Sequence, residues 1–300
     1  MLLLIIFFIV IAYFINKIYF KDKIKENYIV NNNKYSRIYV LGDLHGDRDN
    51  AKKALLKAKL INNNEDWIGG NSMLIQMGDQ VDSLCRKLKC KNKKYMDIEV
   101  IFFMEKLKNK AKEQGGMIIS LLGNHEIMNI QGDINFVSKS DIKMIGGEKK
   151  RIELFKPGGN LSKILSKRPI IYKFKKYLFC HGGLTNKMLN KYSIKEMNNL
   201  TSEWLLGNIS IPNFLNDMDS PIWSRKFTLE PEIYEQELDS VLEKTNSEMM
   251  FVGHTVIDRI KSRYKNKLWM TDVGISDKFQ GSSIEILEIE LNTGKINIIY

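Results

Sequence analysis

The sequence predicts an α/β fold of two face-to-face mixed β-sheets flanked by helices, preceded by an N-terminal hydrophobic helix. Three observations carry this expectation. Short apolar runs of strand length alternate with segments of helical periodicity. Five of those runs end beside a glycine and a His, Asp or Asn. The first twenty residues are almost wholly apolar.

The leader comes first. Residues 2–15 are uninterrupted apolar, and the run continues through Ile18, Tyr19 and Phe20 past Asn16 and Lys17. As a helix this stretch spans ~28 Å, close to the hydrocarbon thickness of a bilayer. No Lys or Arg precedes it and no small-x-small cleavage site follows, so 1–21 is expected to be an uncleaved anchor, with a cleaved export signal as the alternative. Lys17, Lys21, Lys23 and Lys25 lie on its C-terminal flank, which predicts a cytoplasmic catalytic domain held at a membrane. Residues 22–35 read as a polar spacer, and 36–300 as one catalytic domain.

Bulk composition supports a single large core. The 300 residues are 44% hydrophobic and 27% charged, with 5 prolines, and no internal repeat is evident. The net charge of +11 comes from Lys scattered along the chain rather than clustered with aromatics, so a solvated surface is expected and no specific nucleic-acid partner. Cys85, Cys90 and Cys180 are too few for a secreted disulfide framework. Cys85 and Cys90 are read as structural, a local redox bridge being the other possibility.

Within the domain, 37–41 reads as a buried strand entering Gly42-Asp43-Leu44-His45-Gly46-Asp47, with a helix over 48–60. Residues 73–77 lead into Gly78-Asp79-Gln80-Val81-Asp82, 97–114 form a helix, and 117–122 lead into Gly123-Asn124-His125-Glu126. Strand 177–180 delivers His181-Gly182, strand 249–252 delivers Gly253-His254, and 267–270 enters Thr271-Asp272. Segments 284–291 and 295–300 close the chain as antiparallel strands. Residues 131–169 form a possible helical cap. Parallel strands present their carboxyl ends on one edge, where ligand sites form.

Histidine usage is decisive. The chain has 4 histidines, His45, His125, His181 and His254, and every one sits at such a strand end. A lone His is more often a satisfied core residue. Four at the same structural location imply a shared site.

A pair of hard cations needs a bridging carboxylate with imidazole and oxygen donors around it. Asp43, His45, Asp79, Asn124, His181 and His254 supply that set, with glycines expected to provide the sharp backbone turns. Such a pair generates a hydroxide near neutral pH that attacks phosphorus directly, so no Ser or Cys nucleophile is required. The metals are divalent or trivalent, and the same ligands accept manganese, iron or zinc.

The blocks GD-x-H, GD-x-x-D, GNH and the later HG and GH blocks occur here in order. In this the chain resembles the calcineurin-like metallophosphoesterases. GNHEIMN, LFKPGG, FCHGGL, PIWSR, VGHT and DVGIS look most like the Shewanella-like protein phosphatases, a branch of the phosphoprotein phosphatases. The resemblance implies that Asp43 and His45 hold one metal, Asn124, His181 and His254 the other, and that Asp79 bridges them. It further implies His125 as general acid oriented by Asp82, and Asp272 as structural support.

The same family clamps phosphate with two arginines. Arg225 fits the Trp-Ser-Arg block, but Ser83 and Leu84 stand where the family has Arg-Gly after Asp82. Arg86 is the candidate replacement, since a guanidinium can clamp phosphate from varied approaches; its rival reading is an exposed member of the Arg86–Lys89 basic run. The expected activity is hydrolysis of phosphoserine, phosphothreonine or phosphotyrosine in proteins. The alternatives are a dinucleoside polyphosphate hydrolase and a weakly active or inactive module that binds phosphoproteins.

Overall fold

The structure is a computed structural model, and it describes residues 34–90, 95–229, 232–280 and 283–300. The expected anchor at 1–21 and most of the spacer lie outside these residues. Among the described residues no helix is long and apolar enough to cross a membrane.

Among the described residues, ten strands form two five-stranded sheets. The first has the order β10-β9-β1-β2-β3, where β1 is Arg37–Leu41, β2 Met73–Gln76, β3 Met117–Ser120, β9 Ile286–Glu290 and β10 Ile296–Ile299. Strands β1, β2 and β3 run parallel, while β9 and β10 are antiparallel at one edge. The second sheet has the order β4-β5-β6-β8-β7, from Ile171–Phe174, Tyr177–Cys180, Met249–Val252, Leu268–Met270 and Lys261–Arg263. Its central β5, β6 and β8 are parallel, and both edge strands are antiparallel. Both sheets are thus mixed, as expected.

The parallel strands read as continuous apolar runs because they are covered on both faces. Ile38, Val40, Leu41, Met73, Leu74, Ile75, Leu178, Phe179, Phe251 and Val252 are all fully buried. Connecting helices supply the cover: α1 (Arg48–Lys57) links β1 to β2, and α2 (Glu99–Glu113) links β2 to β3. Asp47 caps α1 by accepting from Asn50 N at 2.9 Å. Helix α2 buries Val100, Ile101, Phe103, Met104 and Leu107 along one stripe.

Helix α3 (Asn124–Gln131) starts directly after the GNH glycine and is buried almost all round. Behind it, residues 131–169 form three short helices, α4 (Lys139–Ile145), α5 (Glu148–Phe155) and α6 (Asn160–Leu165). Gly132 and Gly146 close α3 and α4 in the left-handed conformation. Helices α7 (Asn186–Leu189), α8 (Ile194–Leu205) and α9 (Glu235–Lys244) follow β5.

Cys85 and Cys90 form a disulfide, with Cα atoms 5.9 Å apart. This selects the local bridge over the reading of two merely structural thiols. The third cysteine, Cys180, is free and buried on β5, where burial raises its thiol pKa to about 12 and keeps it inert.

Candidate metal centre and phosphate site

All six sequence-predicted ligands converge where the parallel strands of the two sheets end. Asp43 follows β1, Asp79 follows β2, Asn124 follows β3, His181 follows β5 and His254 follows β6, and each is buried. Two groups of potential ligands share one carboxylate: His45, Asp79 and His125 form one, and Asp79, His181 and His254 the other. Within each group the ligand atoms lie within 4.8 Å of one another. Asp79 is the common member, as a bridging carboxylate must be.

The turns that aim these side chains are made by the ligands themselves. His45, Asp79, Asp82 and His254 have φ values of 42°, 49°, 69° and 64°, a region that costs a non-glycine residue free energy and concentrates at functional sites. The adjacent glycines mostly make room instead. A Cβ on Gly123 would strike the Asp79 carboxylate, and one on Gly253 would strike that of Asp43. Gly46 and Gly78, at φ 72° and 99°, make turns as expected, while Gly123 and Gly253 serve by having no Cβ.

Main-chain carbonyls select the imidazole tautomers. His45 donates Nδ1–H to Asp82 O at 3.2 Å, and His181 donates Nδ1–H to Met77 O at 2.8 Å. Each Nε2 is left facing the centre, 3.8 Å and 3.2 Å from Asp79 Oδ2. His254 is held the other way round, Nε2–H to Trp223 O at 3.1 Å, with Nδ1 3.5 Å from Arg225 Nη2. A second partner that orients the ring and frees one nitrogen is the usual companion of a metal-binding His.

Acceptor oxygens outnumber donors in this cluster. His181 Nε2 lies 2.9 Å from Asn124 Oδ1 as well as beside Asp79 Oδ2, so two acceptor oxygens crowd a nitrogen whose partner nitrogen already donates. Asp43 and Asp272 are buried side by side, and among the described residues Asp43 Oδ1 and Asp272 Oδ2 have no N–H or hydroxyl donor. Burial, then Asp272 and Asp79, push the Asp43 carboxyl well above its ordinary range. Burial likewise moves Asp272 up to about 6. His254 falls to about 2 through burial and the neighbouring His181, so it stays neutral. Two imidazoles that burial keeps neutral, His45 and His254, a third crowded by acceptor oxygens, His181, and buried carboxylates fit a pair of hard or borderline cations.

His125 differs from the other three. Its Nδ1 meets Asp82 Oδ2 at 2.7 Å. Burial works against its protonation, but the Asp79 and Asp82 carboxylates outweigh it and hold the pKa above the ordinary imidazole value. Arg86 Nη2 stands 3.2 Å from its Nε2. A carboxylate holds this ring where main-chain carbonyls hold the other three, which suits His125 to handling a proton.

Both candidate arginines reach the cluster. Arg86 is packed between Phe136 and Phe279, 5.2 Å and 4.7 Å from the ring centroids. Its N–H bonds Lys278 O at 3.0 Å, and it sits within the Cys85–Cys90 loop. Arg86 is exposed, as the rival reading has it, yet its guanidinium lies between these rings and against His125. Arg225, exposed at the rim, donates to His254 O at 3.1 Å.

Two residues that the motifs did not single out hold the site together. Glu126 accepts from the backbone N–H groups of Gly123, Asp79, Gln80 and Val81 at 2.8 to 3.3 Å, tying the loop after β2 to the start of α3. Phe136, 37% exposed, meets the His125 ring at 5.1 Å between centroids and forms an apolar rim. The first could have been suspected from its place three residues after Gly123, the helix N-cap. The second carried no signal.

Comparison with known proteins agrees with this geometry. The sequence profile described as calcineurin-like phosphoesterase matches residues 36–258. The chain is 31% identical to Shewanella-like protein phosphatase 1 of Plasmodium berghei, over 88% of this chain and 74% of that protein. It is 27% identical to Shewanella-like protein phosphatase 2 of Arabidopsis thaliana, over 87% and 77%. Among solved structures, the cold-active protein-tyrosine phosphatase of a psychrophilic Shewanella species superposes with a TM-score of 0.73 at 25% identity, covering 89% of this chain and 81% of that one. Shared fold, ordered blocks and a buried two-group His/Asp cluster make one conclusion: this chain belongs to the calcineurin-like phosphoesterases, as a metal-dependent enzyme related to the Shewanella-like protein phosphatases.

Proposed function

We propose that the chain is a protein phosphatase that hydrolyses phosphoserine, phosphothreonine or phosphotyrosine. Asp43, His45 and Asp79 would hold one metal ion, and Asp79, Asn124, His181 and His254 the second. When bound, such a pair supplies an activated water and polarises the phosphoryl oxygens.

The chain's own residues do the rest. Arg225 and Arg86 flank the cluster and would take the phosphate oxygens in charge-assisted hydrogen bonds. Arg86 donates to His125 Nε2 in the resting arrangement. A protonated imidazole cannot accept that bond, so His125 takes up a solvent proton at Nε2 once the phosphate oxygens engage Arg86 in its place. His125, held through Nδ1 by Asp82, would then give its Nε2 proton to that oxygen.

One observation carries the reading: Arg86 lies against His125 although Ser83 and Leu84 interrupt the expected clamp. It weighs against a binding-only module, for which that interruption was the motive. The relatives' names support phosphoprotein substrates, and the leader's composition supports a membrane anchor with the catalytic domain in the cytoplasm.

The test uses purified full-length chain with manganese against phosphopeptides and dinucleoside tetraphosphate. Turnover of the peptides is expected. Turnover confined to the nucleotide selects the nucleotide phosphoesterase, and two bound metals without any turnover select the binding module.

A further inference from the structure

Helix α5 contributes nothing to the metal-type cluster, yet its Arg151 is 0% exposed. All three guanidinium nitrogens are engaged. Nη1 and Nη2 donate to Asp97 Oδ1 and Oδ2 at 2.9 and 2.8 Å, and Nε donates to Asn129 Oδ1 at 2.7 Å. Nη2 also reaches Asp82 Oδ1 at 3.3 Å. The face of the group stacks over Phe155, 4.9 Å from its centroid.

These bonds converge on one carboxylate. Asp82 gives Oδ2 to His125 Nδ1, while its Oδ1 receives Asn129 Nδ2 at 2.8 Å together with Arg151. Its backbone N–H bonds Asp97 Oδ2 at 2.9 Å. Asp97 is in turn anchored through its N–H to Asp141 Oδ1 at 3.0 Å, and Ser83 Oγ bonds the other Asp141 oxygen. Asn129 also donates to His125 O at 2.8 Å. A carboxylate gripped on one oxygen cannot rotate, so its other oxygen points permanently at the imidazole.

We infer that Arg151 is a positioning residue for the Asp82–His125 pair, acting directly on Asp82 and through Asn129. This rests on the reading of His125 as the proton donor. Arginine suits the task because it keeps its charge when buried and presents fixed, planar donors. The segment behind α3 thereby carries a working part of the site, sixty-nine residues away from the aspartate it serves. A purely structural ion pair between α5 and Asp97 would need neither the bond to Asp82 nor the Asn129 bridge.

The experiment compares two aryl phosphates on the full-length chain with manganese. Phenyl phosphate has a basic leaving oxygen that needs a proton, whereas 2,4-dinitrophenyl phosphate has one that does not. In His125→Asn, kcat for phenyl phosphate is expected to fall ~10²-fold and that for the dinitrophenyl ester by less than about 5-fold. Arg151→Met and Asn129→Ala are expected to show the same split with KM unchanged, and Arg151→Lys to recover part of it. The imidazole N–H proton resonance assigned by its loss in His125→Asn should also move in Arg151→Met.

Equal losses on both esters in the Arg151 and Asn129 variants, with His125→Asn still discriminating, would overturn the inference. If Arg151→Met lacks a cooperative melt, Asn129→Ala decides, because it leaves the Arg151–Asp97 pair intact. A wild type that hydrolyses neither ester defeats the phosphatase reading and takes the inference with it, as does a His125→Asn that loses both equally.

Discussion

Arg86 Nη2 lies 3.2 Å from His125 Nε2, joining a residue of the loop after β2 to the start of α3 across thirty-nine positions of sequence. The contact puts a fixed positive charge beside the one imidazole that is held by a carboxylate rather than by a carbonyl. From it follows the first prediction. Arg86→Ala and Arg225→Ala should each lower kcat/KM on a phosphopeptide by ~10²-fold while leaving metal content at two per chain. Arg86→Lys should restore little, because an ammonium lacks the planar fork. A loss below about 2-fold in Arg86→Ala would remove it from the phosphate site.

The Cys85–Cys90 bridge closes the loop that carries Arg86. Replacing both cysteines by serine should raise KM for a phosphopeptide several-fold with little change in kcat. The effect is limited because the Lys278 carbonyl and two aromatic rings also hold Arg86. Michaelis parameters with and without reductant check it. Identical KM in both forms would show that the rings alone suffice.

Asp43, Asp79 and Asp272 are buried together. Chelation of the purified chain should therefore lower its Tm by several degrees, and manganese should restore it, since ligands that bind only the folded state stabilise it. In Asp272→Asn the metal-free protein should melt higher than the metal-free wild type, because one of the crowded carboxylates becomes neutral while the acceptor for Gly274 N, at 2.9 Å, can remain. Calorimetry with and without chelator measures both.

Glu65 supplies a pH-dependent term remote from the centre. Burial tends to raise its pKa, but Lys52 and Arg48 outweigh it and hold it below the ordinary 4.5. Both Arg48 contacts are 2.8 Å. A lowered folded-state pKa means stability that is fully present above the unfolded value and disappears as pH falls through the folded one. Glu65→Gln should thus melt lower than wild type at pH 7, by the order of 1 kcal/mol, and the two should converge in acid. A gap that persists at low pH would assign the loss to packing.

The leader yields a partition experiment. The full chain should sediment with membranes and resist high salt, whereas residues 27–300 should remain in the supernatant. Release of the full chain by salt alone would indicate charge attraction by the lysine flank rather than insertion.

Much of this protein is local in origin and therefore legible along the chain. Alternation of apolar runs with helical stripes placed β1, β5 and β6 to the residue and the other segments it named to within three, because covered strands and amphipathic helices impose their periods directly on sequence. The same holds for the centre: four histidines at strand ends announce a shared site before any coordinates exist, since parallel strands must deliver their carboxyl ends to one edge. What only the tertiary structure decided is which side chains meet across that edge. His45, Asp79, Asp82 and His254 make their own left-handed turns with glycine clearing space beside them, Arg86 arrives from a loop closed by a disulfide, and Arg151 arrives from a helix that bears no motif. Reach, burial and the balance of buried charge depend on neighbours tens of residues away, and such neighbours leave no period in the sequence that could reveal them.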